Sequence, residues 1–153
     1  MTATALRPAV AAEPALVTRL IEQFGATRLD DSGFDAFVAG AGHTVLFFTE
    51  DPLRVKETLD VAVILPEIAG AVSQRLRVGV LPPALANAKA SLYGVRRWPA
   101  LVFLRDGGWL GNVEGLRDWA EYVAATNEAL AGPVRPLPPK VIPVAAAGAP
   151  SCG

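Results

Sequence analysis

The chain has 153 residues, of which 52% are apolar and 19% are charged, and its net charge is −1. This balance predicts one compact domain with a real core rather than a disordered chain, and the lack of a basic excess argues against nucleic-acid binding. A single cysteine, Cys152, and a single histidine, His43, exclude an internal disulfide, a cysteine-based zinc site and a multi-histidine metal site. We therefore expect no cofactor.

The N-terminal stretch "MTATALRPAVAAEPALV" lacks the features of an export signal, because it has one arginine and no long apolar run. No window reaches the roughly 18 to 20 uninterrupted apolar residues that cross a bilayer. We expect a cytoplasmic protein that does not insert into membranes. Residues 1–12 are Ala-rich and are expected to form a flexible lead-in.

The first predicted elements are a helix, a short strand and a second helix. Apolar residues at spacings of three and four predict a helix between Pro14 and Gly25. Residues 26–30 fit a short edge strand. Asp31 or Ser32 is then expected to cap a second short helix.

The middle of the chain predicts a buried strand, a long helix and another strand. Residues 43–49 are β-branched and aromatic without clean alternation, which is typical of a central strand covered on both faces. We expect a helix over about residues 60–75, kinked at Pro66, although "VAVIL" at 61–65 alone also fits a strand. Residues 75–81 predict the next strand.

The second half predicts a short helix, a hairpin, a final helix and a tail. The short helix covers residues 83–92, and the hairpin joins strands at 99–105 and 109–115 through the turn "DGG". Six prolines after Gly132 predict a Pro- and Ala-rich extended tail over residues 132–153. The final helix, at about residues 116–130, is expected to bury Leu116, Trp119, Ala120, Val123 and Leu130.

This order of elements predicts an α/β fold over residues 13–131, with a central mixed β-sheet flanked by helices. The stretch "YGVRRWPALVFLRDGGWLGNVEGLRDWAEYV" resembles the second half of thioredoxins. In that family the proline is cis, so the resemblance implies a cis bond between Trp98 and Pro99. It also implies an exposed backbone edge at which an extended peptide pairs as an added strand. The alternative is that Pro99 only starts a strand and Trp98 only packs.

The redox motif of thioredoxins is absent. If Pro66 matches the proline in the thioredoxin active-site helix, the two redox cysteines would fall near Thr58 and Val61. Neither side chain forms a thiolate, and one cysteine in the tail cannot both attack and resolve a disulfide. The expected fold is therefore thioredoxin-like without the CxxC motif, and dithiol oxidoreductase activity is excluded.

A narrower resemblance covers about residues 16–130. "LFFTEDPLRVKETLDVAVILPEI", followed by the thioredoxin-like stretch, is similar to the thioredoxin-like hydrogenase-expression accessory proteins, the HyaE, HupG and HoxO group. The resemblance implies a non-catalytic chaperone for membrane-bound uptake nickel–iron hydrogenases. Its implied partner is the small-subunit precursor, which carries a twin-arginine signal peptide, with other hydrogenase accessory proteins as further candidates.

Two groups of residues are candidates for partner binding. Carboxylates near the former redox site would pair with the guanidinium groups of a twin-arginine signal. The resemblance also points to Arg97, Trp98 and Pro99 at the expected groove. The alternatives are ordinary acids near a helix start and a solvated loop. The acidic group consists of Glu50, Asp51, Glu57, Asp60 and Glu67.

Two other functions stay open. One is a generic thioredoxin-fold interaction domain whose partner is unrelated to hydrogenase. The other is a glutathione-binding enzyme that uses the same proline-edged groove. Such enzymes usually supply a Ser, Tyr or Cys to activate the thiol, and Thr58 is the only hydroxyl near that place.

Overall fold

The computed structural model describes residues 12–139. The lead-in expected over residues 1–12 lies outside the described residues except for Ala12. The last part of the predicted tail, residues 140–153 with Cys152, also lies outside them.

Helices and strands follow one another in the predicted order. A single 3-10 turn, Ala90–Leu92, extends the fourth helix. The helices are α1 (Ala15–Phe24), α2 (Asp31–Val38), α3 (Glu57–Ala71), α4 (Pro83–Lys89) and α5 (Trp119–Ala131). The strands are β1 (Thr27–Arg28), β2 (His43–Phe48), β3 (Leu76–Leu81), β4 (Ala100–Arg105) and β5 (Gly108–Glu114).

The strands form one five-stranded sheet in the order β1-β3-β2-β4-β5. β1, β3 and β2 are parallel, whereas β4 is antiparallel to β2 and β5 is antiparallel to β4. At the centre, Leu46 pairs with Gly79 on one side and with Val102 on the other. The predicted mixed sheet flanked by helices is confirmed.

Each face of the sheet carries its own hydrophobic core. Val45 and Phe47 of β2 face the core that includes α1, α3 and α5, whereas Leu46 and Phe48 face the core that includes α2 and α4. All four side chains are fully buried. Because both faces of β2 are covered, the strand has no polar alternation, as its sequence predicted.

Helix α3 differs from its prediction at both ends. It begins at Glu57 rather than Asp60, after a turn in which the Asp51 carbonyl accepts from two following backbone N–H groups. It ends at Ala71 rather than Arg75, because Val72 takes an extended backbone conformation. The strand alternative for residues 61–65 is wrong, since the buried side chains of this segment recur at helical spacing.

Helix α5, by contrast, begins later than predicted. Asp118 caps it: the Asp118 side chain accepts from the backbone N–H of Glu121 at 2.9 Å, and the Glu121 side chain accepts in return from the Asp118 backbone N–H at 3.5 Å. This reciprocal capping box satisfies two backbone donors that a helix start leaves free. Leu116 therefore precedes the helix and is 52% exposed.

The buried face of α5 is not the predicted one. Trp119 is 47% exposed, Ala120 is exposed and Val123 is only half-buried, so the prediction that they are buried was wrong, as it was for Leu116. Leu130 is buried as predicted. Because the helix starts at Trp119, a different set of side chains, spaced four residues apart, forms the stripe that faces the sheet. That stripe consists of Tyr122, Thr126 and Leu130.

The described part of the predicted tail lies along the edge strand β5. The Arg135 backbone N–H donates to the Trp109 carbonyl at 2.7 Å, and a Cβ added at Gly108 would lie 2.6 Å from a Val134 methyl. Farther along the chain, Pro138 lies beside Gly94, where an added Cβ would be 3.1 Å from the proline ring. Val134 and Arg135 therefore cover part of an edge that would otherwise be open to strand pairing.

Candidate functional site

Two recesses flank the start of α3. One, which we call the polar cleft, has a volume of about 630 Å³, and the other, which we call the apolar cavity, has a volume of about 300 Å³. Glu57 lines the polar cleft, whereas the next residue, Thr58, lines the apolar cavity. The N-terminus of α3 therefore lies between a polar recess and an apolar one. In thioredoxins the corresponding helix carries the dithiol.

The polar cleft lies beside the loop that leads into β4. The bond between Trp98 and Pro99 is cis, as predicted, and the buried Pro99 carbonyl accepts from the Gly115 backbone N–H at 2.8 Å. Trp98 lines the cleft and packs partly against the core. The residues that line the cleft are Arg54, Val55, Glu57, Arg97, Trp98, Glu114, Gly115, Leu116, Arg117 and Glu121.

Glu114 holds the loop in place. One of its carboxylate oxygens accepts from the backbone N–H groups of Arg96 and Arg97 at 3.1 and 3.0 Å, and the other accepts from the Asn112 side chain at 3.2 Å. Asn112 also donates to the Tyr93 carbonyl at 2.8 Å. Glu114 was not among the predicted site residues, because it lies far along the chain from this loop. Only the pairing of β4 with β5 brings the two together.

Charges of both signs line the polar cleft. Arg54, Arg97 and Arg117 face three carboxylates there, so the lining charges balance. None of the ion pairs among residues 12–139 involves Glu57 or Arg97. Both side chains therefore retain their pairing capacity for a bound partner.

The Trp98 indole is a further unused donor. Its Nε1–H is buried and has no acceptor among the residues that the structure describes. A buried donor without an acceptor is destabilising by about 1–3 kcal/mol, so it favours a partner that supplies one. A peptide carbonyl has the required chemistry.

The apolar cavity opens at the carboxyl ends of two adjacent parallel strands, β2 and β3. Glu50 and Asp51 follow β2 and line it, and Pro82 and Pro83 follow β3. One oxygen of the Glu50 carboxylate accepts from the Asp51 backbone N–H at 2.8 Å. Glu50 itself is 8% exposed.

The predicted site residues thus fall into three groups. Glu57, Arg97 and Trp98 meet at the polar cleft with Pro99 buried next to them, whereas Glu50 and Asp51 line the apolar cavity. The other two acids, Asp60 and Glu67, are exposed on α3 and line neither recess.

Two further findings concern the part of the chain from Ala12 to Pro139. No three or more His, Cys, Asp or Glu side chains are grouped there in a way that could hold a metal ion. None of its helices combines the length and apolar character needed to cross a membrane.

Comparison with known proteins matches this architecture to a family. Residues 16–122 match the family model described as hydrogenase-1 expression protein HyaE. The hydrogenase expression/formation protein HoxO of Cupriavidus necator is 40% identical over 144 residues, which cover 93% of this chain and 89% of that protein. HupG of Rhodobacter capsulatus is 35% identical over 117 residues, covering 76% of this chain and 85% of the relative.

A solved thioredoxin structure agrees on the fold. This thioredoxin, a mutant form from Halobacterium salinarum, superposes with a TM-score of 0.55 at 20% identity, covering 74% of this chain and 94% of that one. A hydrogenase expression/formation protein HupG from Rhodopseudomonas palustris is 32% identical, with a TM-score of 0.48, and covers 69% of this chain and 95% of its own. The thioredoxin-like fold and the resemblance drawn from the sequence are confirmed: the chain belongs to the HyaE family of hydrogenase expression proteins.

Proposed function

We propose that this protein is a non-catalytic chaperone for a membrane-bound uptake nickel–iron hydrogenase. In this proposal it binds the small-subunit precursor, with its twin-arginine signal peptide, before export. One observation carries the proposal: the cleft beside the cis-proline offers unpaired charges and an unused donor. If Pro66 matches the proline of the thioredoxin active-site helix, Thr58 and Val61 replace the dithiol. The family to which the chain belongs supports the link to hydrogenase.

The polar cleft has groups for each part of an extended basic peptide. Glu57 and Glu121 are carboxylates that accept guanidinium groups, and a peptide carbonyl would give the buried Trp98 indole N–H the acceptor that it lacks among the described residues. The exposed side chains of Leu116 and Trp119 lie at the start of α5 and supply apolar contact next to these charges. Cleft arginines would pair with carboxylates of the folded part of the client.

The exposed acids of α3 extend this proposed surface. Asp60 and Glu67 are seven residues apart, which places them on one face of the helix about 10 Å apart along its axis. A basic segment that leaves the cleft along α3 would meet them in turn. Because both carboxylates are exposed, each is expected to contribute little on its own to the affinity for the peptide.

A binding role without catalysis agrees with the state of Thr58. Glutathione-using enzymes usually activate the thiol with a Ser, Tyr or Cys, and a threonine stands here instead. The chain also has no second cysteine to complete a dithiol cycle. We place the protein in the cytoplasm, where an export precursor is made, and we include other hydrogenase accessory proteins among its proposed partners.

Co-purification with the small-subunit precursor tests the proposal. Glu57→Gln and Trp98→Ala should each weaken capture of the precursor, because the first removes a guanidinium acceptor and the second removes the donor and its apolar surface. Glu128→Gln is the matched control, since Glu128 is an exposed acid of α5 that lines neither recess. Equal capture by all three variants and the unmodified protein would contradict the assignment of the cleft.

A further inference from the structure

The apolar cavity contains two polar groups whose bonding is incomplete. The Thr58 side chain is fully buried, and its Oγ1 has no hydrogen-bond partner within the described residues 12–139. Glu50 is 8% exposed, and its second carboxylate oxygen has only a long contact with Asn87 Nδ2, at 3.3 Å, and with Arg54, at 3.9 Å. The Arg54 side chain is 75% exposed, so this ion pair neutralises Glu50 only weakly.

The walls of the cavity are apolar and stiff. Four prolines line it together with Val17 and Val80. Proline has no backbone N–H and a fixed φ, so these walls offer no donors and lose little conformational freedom when a ligand binds. The prolines are Pro14, Pro52, Pro82 and Pro83.

The location of the cavity is one that α/β sheets use for ligands. After β2 the chain passes to α3, which packs on one face of the sheet, and after β3 it passes to α4, which packs on the other face. The two strands are adjacent and parallel, so the departing loops leave a crevice between their carboxyl ends. Ligands bind at such crevices in open α/β sheets.

We propose that this cavity receives one arginine side chain from an extended segment of the client protein. The three methylene groups of the arginine lie against the proline walls, and the guanidinium pairs with the Glu50 carboxylate and donates to Thr58 Oγ1. The proposal takes the client from the proposed function, but the recognition of arginine is a property of the cavity itself. In this arrangement Glu50 pairs with a guanidinium group, as the sequence predicted for this acid, and the buried Thr58 hydroxyl gains a hydrogen-bond partner.

Other occupants satisfy these groups less well. An apolar side chain would leave the Thr58 hydroxyl without a partner and would add none to the Glu50 carboxylate, and a buried polar group without a hydrogen bond is costly. An acidic group would face Glu50 and Asp51, and none of the described residues that line the cavity is a lysine or arginine. A lysine reaches Glu50 as a point charge, whereas the planar guanidinium has enough donors to bond two acceptors at once.

Titration with small probes, followed by NMR of the side-chain methyl groups of Thr58, Val17 and Val80, tests the inference on the full chain. N-acetyl-arginine methylamide should give saturable shifts of all three at millimolar concentration. The citrulline analogue, which keeps the shape but lacks the charge, should bind at least about tenfold more weakly. Equal shifts with the arginine probe, the citrulline analogue and N-acetyl-leucine methylamide as an apolar control, or no shifts with the arginine probe, would overturn the inference.

Two variants identify the groups involved. Glu50→Gln should weaken the arginine probe by at least about tenfold, and Thr58→Val should weaken it by roughly three- to tenfold. Thr58→Val should also leave the melting temperature unchanged or higher, since it removes an unpartnered buried hydroxyl at constant shape. Unchanged affinity in both variants, with Glu128→Gln as the control, would refute the assignment.

The outcome is independent of the precursor experiment. If the precursor is captured but the arginine probe produces no shifts, the cavity proposal fails and the proposed function stands. If the probe binds the cavity but no precursor is captured, the proposed client is wrong and arginine recognition stands.

Discussion

Replacing Glu114 with alanine should loosen the loop that forms one wall of the polar cleft. The substitution removes a carboxylate that accepts from two backbone N–H groups, at 3.0 and 3.1 Å, and from one side-chain amide at 3.2 Å. Hydrogen bonds to charged groups contribute about 1.5–3 kcal/mol each when they are buried. These donors lie near solvent and regain water once released, so the expected total is about 1–2 kcal/mol.

Urea unfolding of the purified protein measures this loss directly. A change of about 1–2 kcal/mol corresponds to a melting temperature lower by about 2–8 °C for a chain of this length. Glu114→Gln keeps an acceptor oxygen for the loop and should lose less than Glu114→Ala. Precursor binding should fall further than stability alone explains, because Arg97 and Trp98 lose their fixed position.

A matched control separates the loop effect from the loss of any acid. Glu128→Ala removes an exposed carboxylate from α5 and should change the unfolding free energy by no more than about 0.5 kcal/mol. If Glu114→Ala and Glu128→Ala were equally stable and bound the precursor equally well, the positioning role of Glu114 would be refuted.

Three further measurements probe the fold that supports the two recesses. Tyr122→Phe should cost about 1 kcal/mol in urea unfolding, because the Tyr122 hydroxyl donates to the Gly115 carbonyl at 2.8 Å, and an unchanged midpoint would contradict this. Gly79→Ala should lower the free energy of unfolding by about 1–3 kcal/mol, since the new Cβ would lie 2.6 Å from a phenylalanine ring carbon. Gly70→Ala, in an open helical position, should raise it by about 0.5–1 kcal/mol. Changes of the same sign in both variants would argue against the packing at Gly79. Burial raises the pKa of Tyr93 from 10.0 to about 12. The neutral phenol therefore stabilises the fold fully below about pH 10, and this stabilisation is lost as the pH rises toward 12. Tyr93→Phe should flatten this part of the curve of unfolding free energy against pH, and an unaltered curve would disprove the shift.

Local patterns were sufficient for much of the fold. β2 is buried on both faces and therefore lacks polar alternation, which its sequence showed directly. The hairpin of β4 and β5 was visible from its turn residues, and the cis bond at Pro99 was implied by the resemblance to thioredoxins. The phase of α5 was not predictable in this way, since Leu116 fits a helical spacing but the cap lies at Asp118.

The candidate site was predictable only where its residues are close in sequence. Trp98 and Arg97 adjoin the recognisable proline, and Glu57 adjoins the former redox position. Glu114 and Glu121 reach the same cleft through strand pairing and through the helix that follows, so no local pattern marked them. Glu57 and Thr58 are neighbours in sequence but line different recesses, because their side chains leave the start of α3 in different directions. Only the tertiary structure shows which recess each side chain faces.

Quantitative binding of the precursor with and without its signal peptide would show whether this protein recognises that peptide. The full hydrogenase small-subunit precursor would be immobilised beside the same subunit lacking its signal peptide, and the dissociation constant of this protein would be measured for both. We expect saturable binding to the precursor and at least about tenfold weaker binding to the truncated subunit. Equal affinity for the two forms, or no binding to either, would contradict the account.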